Sequence, residues 1–373
     1  MFSIVYVPFL YDFTGSIVIT GFITTLGIII QYLPMPWIGR LADKYGRKLI
    51  WYFDTPFMVL GLLLFIVANN LFILIAGVLF YSVGTMIGIS IFKVFVTENS
   101  TETKQGFNYG LLIFALSVGN IAGSYFVLVD SRFNVHFYFF LFIIILIISY
   151  VSFIIFISDP IPRKSSLHIN PNKTEKGIWR KILTTPKLRA VVIFFTFDAF
   201  IYSISFSIYT AGLIDQYQIT LQDIALLAFC SNISLLLFQI PAGHLTDKFG
   251  KKKTIILSEL FRLTFFSLLV ITFFLWSTGL EILLIPLLIT GEVIRAVNIT
   301  TFDPSSSLTL TNLDETRRAE SYGIATLIRG IGEMPTGIIA GLLIARVHYI
   351  IPFIFTIMGI IFLLWFLSKY FED

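Results

Sequence analysis

The sequence predicts an all-α integral membrane protein, and three observations lead to this fold class. The chain of 373 residues is 57% hydrophobic and only 13% charged, whereas about a quarter of the residues of an average soluble domain are charged. The apolar residues form runs long enough for a helix of roughly 20 residues to cross the hydrocarbon core. One run, 141–148, is apolar throughout, unlike the alternating strands of a membrane β-barrel.

Eleven apolar runs have the length of a full membrane span, and each is predicted to be one helix. In chain order they are 15–38, 48–68, 71–96, 106–128, 136–157, 189–212, 221–243, 253–276, 281–302, 320–345 and 349–368. The apolar segment 1–10 precedes them and is too short to cross. We number it helix one and the full runs helices two to twelve. We expect helix one to be truncated, through a misplaced start or a shortened chain.

A polar loop occurs twice between these runs. Residues 39–48 read Gly-Arg-Leu-Ala-Asp-Lys-Tyr-Gly-Arg-Lys, and residues 243–252 read Gly-His-Leu-Thr-Asp-Lys-Phe-Gly-Lys-Lys. The first loop follows helix two and the second follows helix eight. An internal repeat at equivalent positions is typical of membrane transporters.

The repeat divides the chain into two six-helix bundles, 1–157 and 189–373, joined by a linker at 158–188. The linker begins with Ser158-Asp-Pro-Ile-Pro162, which ends helix six, and seven Lys or Arg residues follow Pro162 within it. Residues 178–183 have the pattern of a short interfacial helix. The alternative is a solvated linker beside anionic headgroups.

The distribution of basic residues predicts the orientation of the protein in a cell membrane. If both repeated loops face the cytoplasm, inward-facing segments hold 20 of the 26 Lys and Arg residues and outward-facing segments hold only Arg132 and Arg346. Short cytoplasmic loops are enriched in Lys and Arg. Both termini are therefore predicted to be cytoplasmic. The net charge of +4 is explained by this topology, and no nucleic-acid partner is expected.

The loops carry a specific resemblance. The chain resembles the major facilitator superfamily, whose loop between helices two and three reads Gly-x-Leu-Ala-Asp-Arg-x-Gly-Arg-Lys. The matching residues are Gly39, Leu41, Ala42, Asp43, Gly46, Arg47 and Lys48 in the first loop, and Gly243, Leu245, Asp247, Gly250, Lys251 and Lys252 in the second. The resemblance covers essentially the whole chain. It implies two six-helix bundles that rock around a central cavity, with helices one, four, seven and ten lining the path.

In this family the loop residues brace the ends of facing helices in one of the two states. Asp43 is expected to act on the positive N-terminal end of helix eleven, near 319–321, and Asp247 on that of helix five, near Gly106. Glycines at 39 and 46 would allow close approach and a tight turn. The alternative is that the loops only fix topology and packing.

Small residues inside the helices admit two interpretations. Residues 119–124 (Gly-Asn-Ile-Ala-Gly-Ser) weakly resemble the family's antiporter motif but lack its proline and its last glycine, which puts drug/proton antiport in doubt. Gly119 and Gly123 otherwise predict a close helix contact, as do the pairs Gly84/Gly88 and Gly337/Gly341.

Charges inside the spans are the candidate functional residues, because such charges are costly unless they face a partner or a wet cavity. Those near a helix end are expected to be structural: Lys93, Asp54, Glu259, Arg262 and Asp303. Those nearer the bilayer centre are the site candidates: Asp198, Glu292, Arg295, Arg329 and Glu333.

The central charges suggest two kinds of role. The spacings Glu292/Arg295 and Arg329/Glu333 permit intrahelical ion pairs, which would be either neutralised structural pairs or part of the cavity. Asp198 has no basic neighbour on its own helix, and an unpaired buried carboxylate is suited to carrying a proton. We predict that Asp198, and after it Glu292 or Glu333, takes up a proton, while Arg295 or Arg329 holds an anionic or polar solute.

The function predicted from the sequence is secondary active transport of a small solute by alternating access, driven by a proton gradient. No ATP-binding phosphate loop occurs. The alternatives are an intramembrane enzyme, for which no catalytic motif is found, and a transporter-like sensor that binds without transport. The four histidines lack metal-ligand spacing. We therefore expect no metal, no cofactor and no enzymatic activity, and a monomer whose partners are the bilayer, the solute and protons.

Overall fold

The computed structural model describes residues 2–98, 105–129, 134–156, 184–311 and 318–370. Within these ranges the helical segments form twelve helices, three of which contain a short break near their middle. In chain order they are α1 (Phe2–Thr14), α2 (Ile17–Tyr45), α3 (Arg47–Ile66), α4 (Leu71–Glu98), α5 (Gln105–Val129), α6 (Val135–Phe156), α7 (Pro186–Tyr217), α8 (Leu221–Phe249), α9 (Lys251–Ser277), α10 (Glu281–Leu310), α11 (Ala319–Arg346) and α12 (Ile351–Tyr370).

The membrane prediction is confirmed. Ten of the helices are long and apolar enough to span a bilayer, and α5 is a further helix of 25 residues. The eleven predicted full runs therefore correspond to α2–α12. The N-terminal segment forms α1, a helix of 13 residues, which is shorter than the roughly 20 residues a span needs.

The predicted linker lies mostly outside the described residues, and the interfacial helix predicted at 178–183 lies entirely outside them. The predicted boundary at 189 is three residues late, because α7 already begins at Pro186. Proline is favoured in the first turn of a helix, since its missing N–H has no intrahelical partner there.

Proline breaks divide both α2 and α11. The first piece of α2 ends at Tyr32 and the second begins after Pro34. The first piece of α11 ends at Glu333 and the second begins after Pro335. A proline cannot donate the main-chain hydrogen bond of a helix and its ring clashes with the preceding turn. The two breaks place Tyr32 and Glu333 opposite each other.

The two halves meet along α2 with α11 and along α5 with α8. Gly21 and Gly337 bring the backbones of α2 and α11 together: a methyl group on Gly337 would lie 2.6 Å from the Gly21 carbonyl oxygen. Gly341 similarly meets Ile17. The predicted packing role of Gly337 and Gly341 is thus confirmed, since small residues allow helices to approach closely.

Within the first half, α4 packs on α3 through Gly84 and Gly88. A methyl group on Gly84 would meet Met58 and the Asp54 carbonyl, and one on Gly88 would meet the Asp54 carboxylate. The packing prediction holds for this pair. It is wrong for Gly119, which has open space around its Cα because this face of α5 is exposed.

Candidate functional site

The two repeated loops adopt the same backbone conformation. Gly46 has φ 98° and ψ 147°, and Gly250 has φ 84° and ψ 163°. This region is open essentially to glycine alone. Each glycine ends one helix and begins the next, so both loops turn sharply between α2 and α3 and between α8 and α9. We call the end of the molecule that carries these loops the loop end, and the opposite end the far end.

The Asp43 carboxylate lies at the N-terminus of α11. Its Oδ2 accepts a hydrogen bond from the Glu320 main-chain N–H at 2.9 Å, and its Oδ1 accepts one from Arg47 at 2.8 Å. Arg40 forms an ion pair with Glu320 at 3.3 Å. Gly39 leaves no room for a Cβ against the Ala319 carbonyl. The first loop of one half is therefore joined to a helix start of the other half, where a negative charge is stabilising.

Asp247 occupies the corresponding position at the N-terminus of α5. Its Oδ2 accepts a hydrogen bond from the Phe107 main-chain N–H at 3.1 Å, and the His244 ring lies 4.9 Å from the Phe107 ring. Both aspartates thus contact the helix starts expected from the sequence. A role in conformational switching stays a prediction.

The remaining loop candidates lie around these contacts. Lys251 Nζ is 3.5 Å from the Leu308 carbonyl oxygen, and Lys48 Nζ lies 5.6 Å from the centre of the Tyr52 ring. Gly243 is buried in α8, and Lys252 is half-buried in the first turn of α9.

The far end also carries contacts between the halves. The Tyr11 hydroxyl of α1 donates to Asp215 of α7 at 2.7 Å. The Gln222 amide of α8 donates to the Leu128 carbonyl of α5 at 3.2 Å. Together with Gly21 and Gly337, these contacts join the halves on the side opposite the loops.

A cavity of about 360 Å³ lies between the two ends. It is lined by residues of α1, α2, α4, α7 and α11: Tyr6, Val7, Thr24, Gly27, Ile28, Gln31, Tyr32, Tyr81, Ser82, Thr85, Ala199, Tyr202, Ser203, Phe206, Ser207, Arg329 and Glu333. Helices one, four and seven line it as the resemblance implied. The expectation for helix ten is wrong for this cavity, since α2 and α11 supply the remaining lining residues.

Two charged candidates, Arg329 and Glu333, line the cavity. The Tyr32 hydroxyl donates to Glu333 Oε2 at 2.7 Å, so the carboxylate is bound by the opposite half. The ion pair of Arg329 is with Asp198, at 3.8 Å from Nη2 to Oδ2. Arg329 and Glu333 interact electrostatically on their common helix, and each also makes a contact that crosses to another helix.

Asp198 is not the unpaired carboxylate that the sequence suggested. Its side chain is 1% exposed and forms a hydrogen-bonded ion pair with Arg262 of α9, in addition to its contact with Arg329. It also lies behind the cavity wall, where the adjacent Ala199 faces the cavity. The partner comes from 64 residues away in the sequence, so the spacing within one helix could not reveal it.

Arg262 and Glu259 were expected to be explained by a position near a helix end. The ion pairing holds, but snorkelling to the surface does not: the Arg262 side chain is 4% exposed and that of Glu259 is 0% exposed. The guanidinium lies 4.8 Å from the Phe302 ring centre and 5.1 Å from that of Tyr202. Aromatic ring faces attract a cation, so both rings stabilise the buried guanidinium.

Glu292 and Arg295 form the predicted intrahelical pair on α10, at 2.6 Å. Arg295 also donates to Ser231 at 3.1 Å and lies 4.8 Å from the Phe206 ring centre. Phe206 lines the cavity, and this pair stands behind it. Glu292 and Arg295 are thus neighbours of the cavity and are not lining residues.

Tyr32 and Tyr202 line the cavity and were not singled out from the sequence. Tyr32 had one readable signal, its position directly before the Leu-Pro break of α2. Within the described ranges, no group of three or more His, Cys, Asp or Glu side chains has metal-binding geometry.

The family model described as Major Facilitator Superfamily matches residues 1–332 and, in a second match, residues 191–373. The chain belongs to the Major Facilitator Superfamily. It is a multi-pass membrane protein, and this family indicates a membrane transporter rather than an enzyme.

Two similar proteins agree with this assignment. The Multidrug resistance protein 2 of Bacillus subtilis (strain 168) is 23% identical over 349 residues, which cover 90% of this chain and 82% of that protein. The crystal structure of the human organic anion transporter MFSD10 (TETRAN) superposes with a TM-score of 0.74 at 12% identity, covering 94% of this chain and 84% of that one. The second match shows that the fold is shared.

Proposed function

We propose that the chain is a secondary active transporter that carries a small solute through the central cavity by alternating access and couples this movement to protons. The observation that carries the proposal is the cavity of about 360 Å³ between the halves, with contacts between the halves on both sides of it. The Asp43 and Asp247 contacts hold the loop end, and the Tyr11–Asp215 contact holds the far end. Separation of one set at a time would open the cavity to one side.

The lining residues support a solute with aromatic or lipophilic character. Four tyrosines and Phe206 supply ring surface, and Thr24, Thr85, Ser82 and Ser203 supply hydroxyl groups. A largely apolar wall with a few placed polar groups is typical of small-molecule sites. Arg329 and Glu333 would recognise a charged group. The names of the two similar proteins, a multidrug resistance protein and an organic anion transporter, agree with this class.

The carboxylate of Glu333 is better placed than that of Asp198 to respond to the solute. Glu333 lines the cavity and contacts the opposite half through Tyr32, whereas Asp198 is held by Arg262 behind the wall. We assign Glu333 and Arg329 to solute binding, and we place both termini and the loop end on the cytoplasmic side.

Counterflow in sealed vesicles tests the proposal. Purified protein would be screened by thermal shift with tetraphenylphosphonium and with benzoate, as a lipophilic cation and an aromatic anion. The stabilising probe would then be exchanged in labelled form across proteoliposomes. Glu333→Gln is expected to lower the exchange about tenfold, which corresponds to roughly 1.4 kcal/mol and lies near the value of a hydrogen bond to a charged group.

Glu281→Gln is the matched control, because Glu281 is exposed at the far end and its removal should leave the exchange unchanged. Binding of a probe without counterflow would contradict transport and favour the sensor. Chemical conversion of the probe would favour the intramembrane enzyme.

A further inference from the structure

Glu259 is a buried carboxylate that lies outside the cavity. Its side chain is 0% exposed, and among the described residues none donates a hydrogen bond to Oε1 or Oε2. Its only ion-pair contact in the described part of the chain is with Arg262 of the same helix, at 3.1 Å. A polar group in such surroundings is costly, and an ionised one far more so.

Charge counting shows why the ionised form is hard to accommodate. Arg262 is shared by two carboxylates, those of Asp198 and Glu259, and only Asp198 is hydrogen-bonded to it. Asp198 also contacts Arg329, but Arg329 interacts with the Glu333 carboxylate as well. The Tyr202 and Phe302 rings cover the guanidinium. With Asp198, Glu259 and Glu333 all ionised, three carboxylates would share two guanidinium groups, and Glu259 is the one that accepts no hydrogen bond from the described residues.

The other helices packed against α9 do not supply the missing charge at this point. The α10 helix brings Asn298, whose amide donates to the Ser258 carbonyl at 2.8 Å, and its charged pair Glu292/Arg295 is closed on itself. The α10 helix also carries Asp303, a further acid. The charged residue of α12 is Lys369, exposed in its last turn, and those of α8 lie near its ends, at Asp223, Asp247 and Lys248. The α7 helix brings Asp198, a second acid.

We propose that Glu259 is a proton-binding site, distinct from the solute cavity and linked to it through Arg262, Asp198 and Arg329. With a proton on Glu259, Arg262 is free to neutralise Asp198. When the proton leaves to water, the Glu259 carboxylate competes for Arg262, and Asp198 draws more strongly on Arg329, which lines the cavity. Loading and release of one proton would thus change the charge that the solute meets.

Infrared spectroscopy of the purified protein tests the site without any solute. A protonated carboxylic acid has a carbonyl stretch separate from the amide bands. At neutral pH the wild type is expected to show this band, Glu259→Gln to lose it, and Glu281→Gln and Glu333→Gln to keep it. Glu259→Asp retains an acid and should shift the band. This variant provides the test if Glu259→Gln does not fold. Absence of the band in the wild type, or its loss in Glu333→Gln alone, would overturn the proposal.

The link to transport rests on the proposed function and is tested separately. If one proton moves in each transport cycle, a gradient of one pH unit supports about tenfold accumulation of the transported solute. We compare uptake driven by the pH gradient with counterflow of the same labelled probe. The ratio of the two should fall in Glu259→Gln to the value expected without coupling to protons, and it should stay at the wild-type value in Glu281→Gln. An unchanged ratio in Glu259→Gln would overturn the coupling role. Absence of counterflow in the wild type would instead remove the proposed function and leave the infrared result standing.

Discussion

At the loop end the two halves of the molecule are alike, and at the depth of the cavity they differ. Asp43 and Asp247 each accept a hydrogen bond from the first turn of a helix in the other half, after identical glycine turns. At the cavity, the lining residues of the first half are all uncharged, whereas the second half supplies the two charged ones, Arg329 and Glu333. The buried ion pairs of Asp198, Glu259, Arg262, Glu292 and Arg295 also belong to the second half.

This difference separates two tasks. The loop contacts between the halves are duplicated, one from each half. Charged groups are concentrated in one half, where they compensate one another, and the other half meets them with neutral hydrogen-bonding side chains such as Tyr32. Removal of a buried charge should therefore strongly destabilise the second half. Equivalent substitutions in the two loops should instead lower the stability by similar amounts.

The largest expected effect is on the charged interior of the second half. Arg262→Met removes the guanidinium that Asp198 and Glu259 share, so we expect a loss of about 3–5 kcal/mol of stability, as for other broken buried ion pairs. Thermal unfolding in detergent would measure it. Arg346→Met is the control, since Arg346 is exposed at the far end.

The double variant Asp198→Asn/Arg262→Met sharpens this prediction. If Asp198 is the charge that Arg262 compensates, the double variant should regain part of the lost stability, because an uncompensated buried charge is removed. Equal unfolding temperatures for Arg262→Met and Arg346→Met would contradict the described network.

An intermediate effect is expected at the two glycine turns. Gly46→Ala and Gly250→Ala place a side chain in a conformation that L residues rarely adopt, at about 1–3 kcal/mol each. The two losses should agree because the dihedral angles agree. Gly119→Ala has open space around it and should stay within about 0.5 kcal/mol of the wild type. A clear difference between the stability losses of Gly46→Ala and Gly250→Ala would contradict the equivalence of the two glycine turns.

The smallest expected effect is on the loop contacts themselves. Asp43→Asn and Asp247→Asn each remove a negative charge from a helix N-terminus, at about 0.3–1 kcal/mol, and should favour opening at the loop end. In a Cys230→Ser background, which removes the single cysteine, maleimide would label a cysteine placed at Ser82 of the cavity. Both variants should label faster from the loop side.

Tyr11→Phe provides the opposite control, because it removes the hydroxyl that bonds Asp215 at the far end and should speed labelling from that side. Faster labelling from the far side in the aspartate variants would contradict the assignment of their contacts to the loop end.

Much of the architecture could be predicted from the sequence. The spans follow from run length, and the loop contacts of Asp43 and Asp247 follow from the repeat, because a helix start needs an acceptor wherever it lies. The intrahelical pair Glu292/Arg295 follows from spacing alone. The Asp198–Arg262 pair could not be predicted in this way, since it depends on the rotation of α7 and α9 about their own axes.

The sequence alone therefore determined that the chain crosses a membrane in two repeated bundles, because hydrophobic run length and motif recurrence are properties of the order of residues. The tertiary structure decided which charges meet. It placed Glu333 against Tyr32 through two proline breaks, bound Asp198 to Arg262, and left the Glu259 carboxylate without a hydrogen bond from the described residues. Helix packing sets these contacts, and the energy of a buried charge depends on the partner that packing provides.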